Sequence, residues 1–191
     1  MKRNILIIAA AIISMTLNAC TINVDGEKFG GKTIKGDGNV VTRNYDMTDF
    51  NSISTSLSAT VNFNIADHYS CTVSVDENLF DHLDIKVKDN ELLMGKQKED
   101  KNTQLKATQF VIEVTAPSLE SINLAGSGTF NALSPLNGEE LEVNLAGSGD
   151  IKARVNGKLT YGIFGSGDIG YYGNPVIEGD KVGGRVNRLG D

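Results

Sequence analysis

The sequence has no tryptophan, only 3 prolines, 2 cysteines and 2 histidines in 191 residues, and its aromatic content is 6%. So few cysteines and histidines leave little room for a zinc or disulfide framework, and no metal site is expected. Positive charge is also scarce. Lys and Arg number 18 against 24 Asp and Glu, a formal net charge of -6. The basic footprint that holds a phosphate backbone is missing, which excludes nucleic acid as a partner. The apolar run from Ile5 to Met15 is shorter than the roughly 18 residues that cross a bilayer as a helix. What the chain does have is a 40% hydrophobic fraction and 21 glycines without a triplet period. Those values exclude a wholly disordered chain and a collagen, and the length fits one domain with attachments.

The N-terminus has the layout of an export signal. Lys2 and Arg3 precede the apolar run, and Leu17-Asn18-Ala19-Cys20 follows it. This tetrapeptide resembles the lipobox of bacterial lipoproteins, which implies cleavage after residue 19 and lipidation of Cys20. Thr21 differs from the aspartate of inner-membrane retention, so the resemblance implies an outer-membrane lipoprotein, facing the periplasm or the cell surface. Loss of residues 1–19 removes two positive charges and no negative one, leaving a more acidic chain. Acyl chains, rather than surface charge, are then the expected membrane contact. The polar, glycine-bearing stretch 20–38 reads as a flexible tether. Cys71, left without a partner, is expected to be a small buried residue.

Internal repetition dominates the second half. Gly126-Ser127-Gly128 after Asn123-Leu124-Ala125 returns as Gly147-Ser148-Gly149 after Asn144-Leu145-Ala146. It returns again as Gly165-Ser166-Gly167 and, worn, as Gly183-Gly184. The second glycines fall at 128, 149, 167 and 184, intervals of roughly 20 residues, as in solenoids whose single units cannot bury their own apolar side. Within a unit, Leu141, Val143 and Leu145 alternate with Glu142 and Asn144, and Ile151, Ala153 and Val155 alternate with Lys152 and Arg154. That is the period of strands with one dry face. A second corner carries Asn137-Gly138, Asn156-Gly157 and Asn174-Pro175. Because whole units recur in phase, parallel stacking is expected, with like residues superimposed about 4.8 Å apart.

The repeated Gly-Ser-Gly-Asp-Ile units, the Thr115-Ala116-Pro117-Ser118-Leu119-Glu120-Ser121-Ile122 entry, Gly38-Asn39-Val40-Val41 and Asp76-Glu77-Asn78-Leu79 together resemble the autotransporter-adhesin head domain called the GIN domain. The resemblance covers about residues 39–191. It implies an all-β, right-handed parallel β-helix in an exported protein or lipoprotein of the Bacteroidetes type. In the first half, strand-like runs around Val61, Val73, Ile85 and Ile112 lack a clean repeat. They read as irregular coils of the same solenoid, with Asp76 capping a short helical turn and residues 96–106 forming a charged loop.

No catalytic constellation stands out. Gly165-Ser166-Gly167-Asp168-Ile169-Gly170 matches a dinucleotide fingerprint formally, but no helix follows, so no cofactor is expected. Ser127, Ser148 and Ser166 lack the flanking glycines of a nucleophile elbow. If the units stack, Thr129, Asp150, Asp168 and Arg185 form one column. Two carboxylates about 5 Å apart would repel by about 3 kcal/mol at an effective dielectric near 20. Turn amides and Arg185 offset this in the plainer reading, and a calcium ion does so in the sharper one. His68 and His82 lack ligand spacing, and Tyr171-Tyr172 closes the last full coil. The expected protein is a lipid-anchored, non-catalytic envelope module, an adhesin or a presenter of a glycan- or protein-binding surface. A polysaccharide-active enzyme and a purely structural envelope protein are the alternatives.

Overall fold

The computed structural model describes residues 32–136 and 138–190. The signal segment, Cys20 and Asn137 lie outside the described residues. In chain order the strands are β1 (Thr33–Lys35), β2 (Val40–Tyr45), β3 (Ser52–Thr55), β4 (Thr60–Ile65), β5 (Ser70–Asp76), β6 (Leu83–Lys88), β7 (Glu91–Lys96), β8 (Gln104–Lys106) and β9 (Phe110–Ala116). They continue as β10 (Ser121–Gly126), β11 (Thr129–Leu136), β12 (Glu140–Gly147), β13 (Asp150–Val155), β14 (Lys158–Gly165), β15 (Asp168–Tyr172), β16 (Val176–Val182) and β17 (Arg185–Gly190). Short 3-10 turns cover Glu77–His82 and Lys98–Asp100. The fold is all-β.

The strands form two large open sheets, ordered β16-β14-β12-β10-β3-β7-β6 and β17-β15-β13-β11-β4-β9-β5-β2. From β10 onward, successive strands alternate between the sheets and each pairs in parallel with the strand two places on. The glycine corners therefore join strands of different sheets and are not hairpin tips. Register follows the repeat, with Asn123 opposite Asn144, Leu124 opposite Leu145 and Gly126 opposite Gly147.

The dry face of each sheet points at the other. Ile122, Val143, Leu145 and Leu159 from one sheet meet Phe130, Ile151 and Ala153 from the other, each at most 1% exposed. One buried cluster continues through Ile53, Phe63, Val73 and Ile112, so both halves share a core.

The first half departs from the expected run of irregular coils in an instructive way. β3 and β4 form a regular unit, parallel to β10 and β11 and in register with them (Ile53 opposite Ile122, Thr60 opposite Thr129). Around it, β2, β5 and β9 pair antiparallel, and β6 and β7 form a hairpin over Asp89 and Asn90, both at positive φ. The segment expected as a tether reaches residue 38, yet β1 pairs with β8, and the Gly36 amide donates to the Lys106 carbonyl. Alternation at Ile34 and Leu105, both packed on the core, accounts for this. The same pairing puts a strand at the end of the expected 96–106 loop.

The last unit is different. β16 keeps the register and β17 keeps it as far as Tyr171, before a shift at Tyr172, but both lose the burial, and Lys181 and Arg188 stand opposite the inward positions of Ile163 and Tyr171. Charge at inward edge positions blunts strand-by-strand aggregation.

Stacking requires glycine at the corners. A Cβ on Gly149 would lie 2.5 Å from the Gly128 carbonyl oxygen, and Gly147 has φ +126 with the Gly126 carbonyl oxygen at the same 2.5 Å. In both cases the obstacle is backbone and cannot step aside. We predict that Gly149→Ala lowers stability by about 3 kcal/mol or more, whereas Ser148→Ala at the exposed tip of the same corner changes it by less than about 0.5 kcal/mol. Urea denaturation of the two variants measures the difference.

Candidate functional site

The corner between the sheets brings most of the singled-out residues together. Ser148 and Ser166 lie at successive tips with their hydroxyls 3.1 Å apart, and both are exposed. The tip amides bond to the unit before: Ser148 N to Gly126 O at 2.9 Å and Ser166 N to Gly147 O at 2.9 Å. Beside the serines runs the column Thr60, Thr129, Asp150, Asp168 and Arg185, matched partner to partner along the sheet.

One member escaped the sequence reading. The β3–β4 corner is Ser56-Leu57-Ser58-Ala59, with no glycine, yet it is the same length as Ala125-Gly126-Ser127-Gly128. Ser58 therefore occupies the position of Ser127 one unit earlier. Gly128 packs on this corner, where a Cβ would lie 2.5 Å from the Leu57 carbonyl oxygen. The interval from Thr55 to Thr60, equal to that from Leu124 to Thr129, was the available signal.

The two aspartates do not behave alike, and neither carboxylate caps its own turn as expected. Asp168 receives Arg185 Nε at 3.1 and 3.2 Å and Arg185 Nη2 at 2.5 Å. These bonds and the guanidinium charge hold its carboxyl below the usual range. Asp150 is exposed, and its carboxylate has no hydrogen-bond partner among the described residues. The guanidinium stands where the calcium reading put a cation beside Asp168. No group of three or more potential metal ligands occurs among the described residues. The worn corner Gly183-Gly184 lies at the exposed end of the column, both glycines at positive φ.

At the other end of the column the corner borders an open cleft of about 510 Å³. Ser58, Thr60, Ser127 and Thr129 form one wall; Lys106, Thr108, Gln109 and Phe110 form the other. The second wall is anchored at Thr108. Asp76 is fully buried, and instead of capping the turn at Glu77 it accepts the Gly38 amide at 2.8 Å and the Thr108 amide at 2.7 Å. Burial alone would raise the Asp76 pKa, but the bonds from Thr108 and Gly38 outweigh it and hold the carboxyl low. Farther back, His82 Nδ1 lies 2.7 Å from Asp100, and Lys96 Nζ donates to the Thr103 carbonyl at 2.6 Å. The hydrogen bond with His82 is the main cause of the low Asp100 pKa.

The remaining singled-out residues lie elsewhere. Cys71 is 1% exposed, and burial pushes its thiol up to about 12, an inert core residue. His68 sits on the surface beside Asp67. Tyr172 lies under Arg154, 5.0 Å from guanidinium carbon to ring centre.

Fold and site together define an all-β protein of stacked parallel units whose exposed polar corner flanks an open cleft. The chain belongs to the family described as "Putative auto-transporter adhesin, head GIN domain", whose model matches residues 49–159 and 134–175. Its fold is similar to a "Putative lipid binding protein" from Parabacteroides distasonis, at 22% identity and TM-score 0.52, covering 83% of this chain and 100% of that one. It is also similar to a "putative adhesin" from Bacteroides fragilis, at 17% identity and TM-score 0.50, covering 81% and 99%. No curated protein matches.

Both anchoring carboxylates are held low in the folded state, so the stability they contribute is present above the unfolded pKa of about 3.9 and is lost as pH falls through the folded values. Melting temperature should therefore drop as pH is lowered below about 4. The Asp76→Asn/Asp100→Asn variant should melt lower at pH 7 and show a smaller acid-induced drop, read by circular dichroism.

Proposed function

We propose that this protein is a non-catalytic binding and presentation module of the cell envelope, tethered through a lipid on Cys20. In this reading the alternating parallel sheets wind as a right-handed parallel β-helix, the hand that connections between parallel strands almost always take. The observation that carries the proposal is the corner itself: a backbone-locked row of exposed hydroxyls whose chemistry is recognition. Nucleophilic catalysis would need a base beside a serine. The described histidines are engaged elsewhere, His68 with Asp67 and His82 with Asp100. The polysaccharide-enzyme alternative needs free acids on one face, and Arg185 occupies the Asp168 carboxylate. The adhesin-head description of the family agrees with an envelope address. No helix among the described residues is long and apolar enough to cross a membrane.

Fractionation tests the tether. Wild-type protein should sediment with membranes and label with a palmitate analogue, whereas Cys20→Ser should lose the label and move to the soluble fraction. A variant that keeps both label and sedimentation contradicts the proposal. Protease shaving of intact cells then distinguishes cell-surface from periplasmic exposure.

A further inference from the structure

We propose that the cleft beside the corner binds an acidic saccharide, a sugar ring carrying a carboxylate, through Ser58, Thr60, Ser127, Thr129, Gln109 and Lys106. This inference deepens the binding-module reading and rests on it.

Three features of the cleft select that chemistry. The first is the hydroxyl wall. Ser58 and Thr60 on one unit stand beside Ser127 and Thr129 on the next, at the roughly 4.8 Å pitch of paired strands. None of the four hydroxyls has a protein hydrogen-bond partner among the described residues. A hydroxyl donates and accepts, as do the hydroxyls of a sugar, so the two sets can interlock whichever way each proton points. The Gln109 amide adds a donor and an acceptor from the facing wall. Such a lining suits a polyol, its polar groups meeting the hydroxyls while Ala59, Leu105, Ala107 and Phe110 offer apolar surface to the ring's C–H face.

The second feature is charge. Lys106 is the only charged residue that lines the cleft, it is exposed, and no carboxylate pairs with it among the described residues. A ligand carboxylate there would make a charge-assisted hydrogen bond. Asp150, next along the column after Thr129, repels an anion at that end and so orients the acidic group towards Lys106. Asp76, behind the wall, has its oxygens committed to the Gly38 and Thr108 amides.

The third feature is rigidity. One wall is the stacked corner, and the other is held by Asp76, so little ordering cost remains for a ligand to meet. A volume of about 510 Å³ falls within the range of small-ligand sites and accommodates one or two sugar rings.

The test is calorimetric titration of the soluble Cys20→Ser chain with oligogalacturonate, a neutral malto-oligosaccharide of equal length, and phosphatidylglycerol vesicles. The acidic oligosaccharide should bind saturably, about tenfold tighter than the neutral one, and Lys106→Gln should remove that preference. Thr129→Val, which keeps the shape and deletes the hydroxyl, should weaken binding of both sugars about fivefold. The assignment is overturned if the acidic sugar binds no tighter than the neutral one, if neither substitution changes its affinity, or if only vesicles bind. A parallel arm measures binding of the labelled chain to isolated cell envelopes. Envelope binding without oligogalacturonate binding removes the ligand assignment and leaves the module reading intact; loss of both removes both.

Discussion

Where one glycine corner lies on the next, the backbones approach too closely for a Cβ to fit between them. Carbonyl oxygens of Gly126, Gly128, Gly147 and Gly149 face the following corner at distances no side chain tolerates, and they accept from the amides of Ser148, Asp150, Ser166 and Asp168. The remaining architecture depends on that contact. It sets the vertical pitch and makes the pairing parallel. It also fixes the phase in which Leu141, Val143 and Leu145 turn inward while Ser148 and Asp150 remain at the surface. Core and corner are thus two results of one backbone constraint. The hydrophobic face supplies the driving force, and the corner supplies the register.

Because the corner is locked by backbone, its side chains are free for other uses. Serine at the tips 58, 127, 148 and 166 adds little to packing, and the polar column beside it grades from Thr60 and Thr129 through Asp150 to the Asp168–Arg185 pair. Polarity therefore varies along the stack while geometry stays constant. The cleft arises where this regular edge meets the less regular first half, at the segment that Asp76, Lys96 and Asp100 hold in place.

The repeated half was largely legible in the sequence. Period-two alternation and near-identical corners translate directly into strand phase and neighbour identity, and the Asp150–Asp168 column follows from spacing alone. The first half was not, for a physical reason. Its strands pair antiparallel across long separations, as with Val41 and Val75 or Val73 and Ile112, and such pairing leaves no periodic trace. The β3–β4 unit was hidden because Ser56-Leu57-Ser58-Ala59 sits on the outer side of the stack's first glycine corner, where Gly128 alone makes room for both partners. The cleft was illegible for the same reason, since one of its walls is brought to the corner by a buried carboxylate 32 residues from Thr108 in the chain. Asp76 was read as a local cap because its position before a helical turn is a local signal, and its real partners are distant.

Stacked, in-register corners are the central claim, and paired cysteines test it directly. In a chain with Cys20 and Cys71 replaced by serine and alanine, Ser127→Cys/Ser148→Cys and Ser148→Cys/Ser166→Cys place thiols on adjacent units. Their Cα separation of about 5 Å lies within disulfide reach. Both pairs should oxidise rapidly to intramolecular disulfides in the folded protein, while Ser127→Cys/Ser166→Cys, two units apart, should remain reduced. Rapid oxidation of the 127/166 pair, or none of the adjacent pairs, would contradict the stack and the hydroxyl wall built on it.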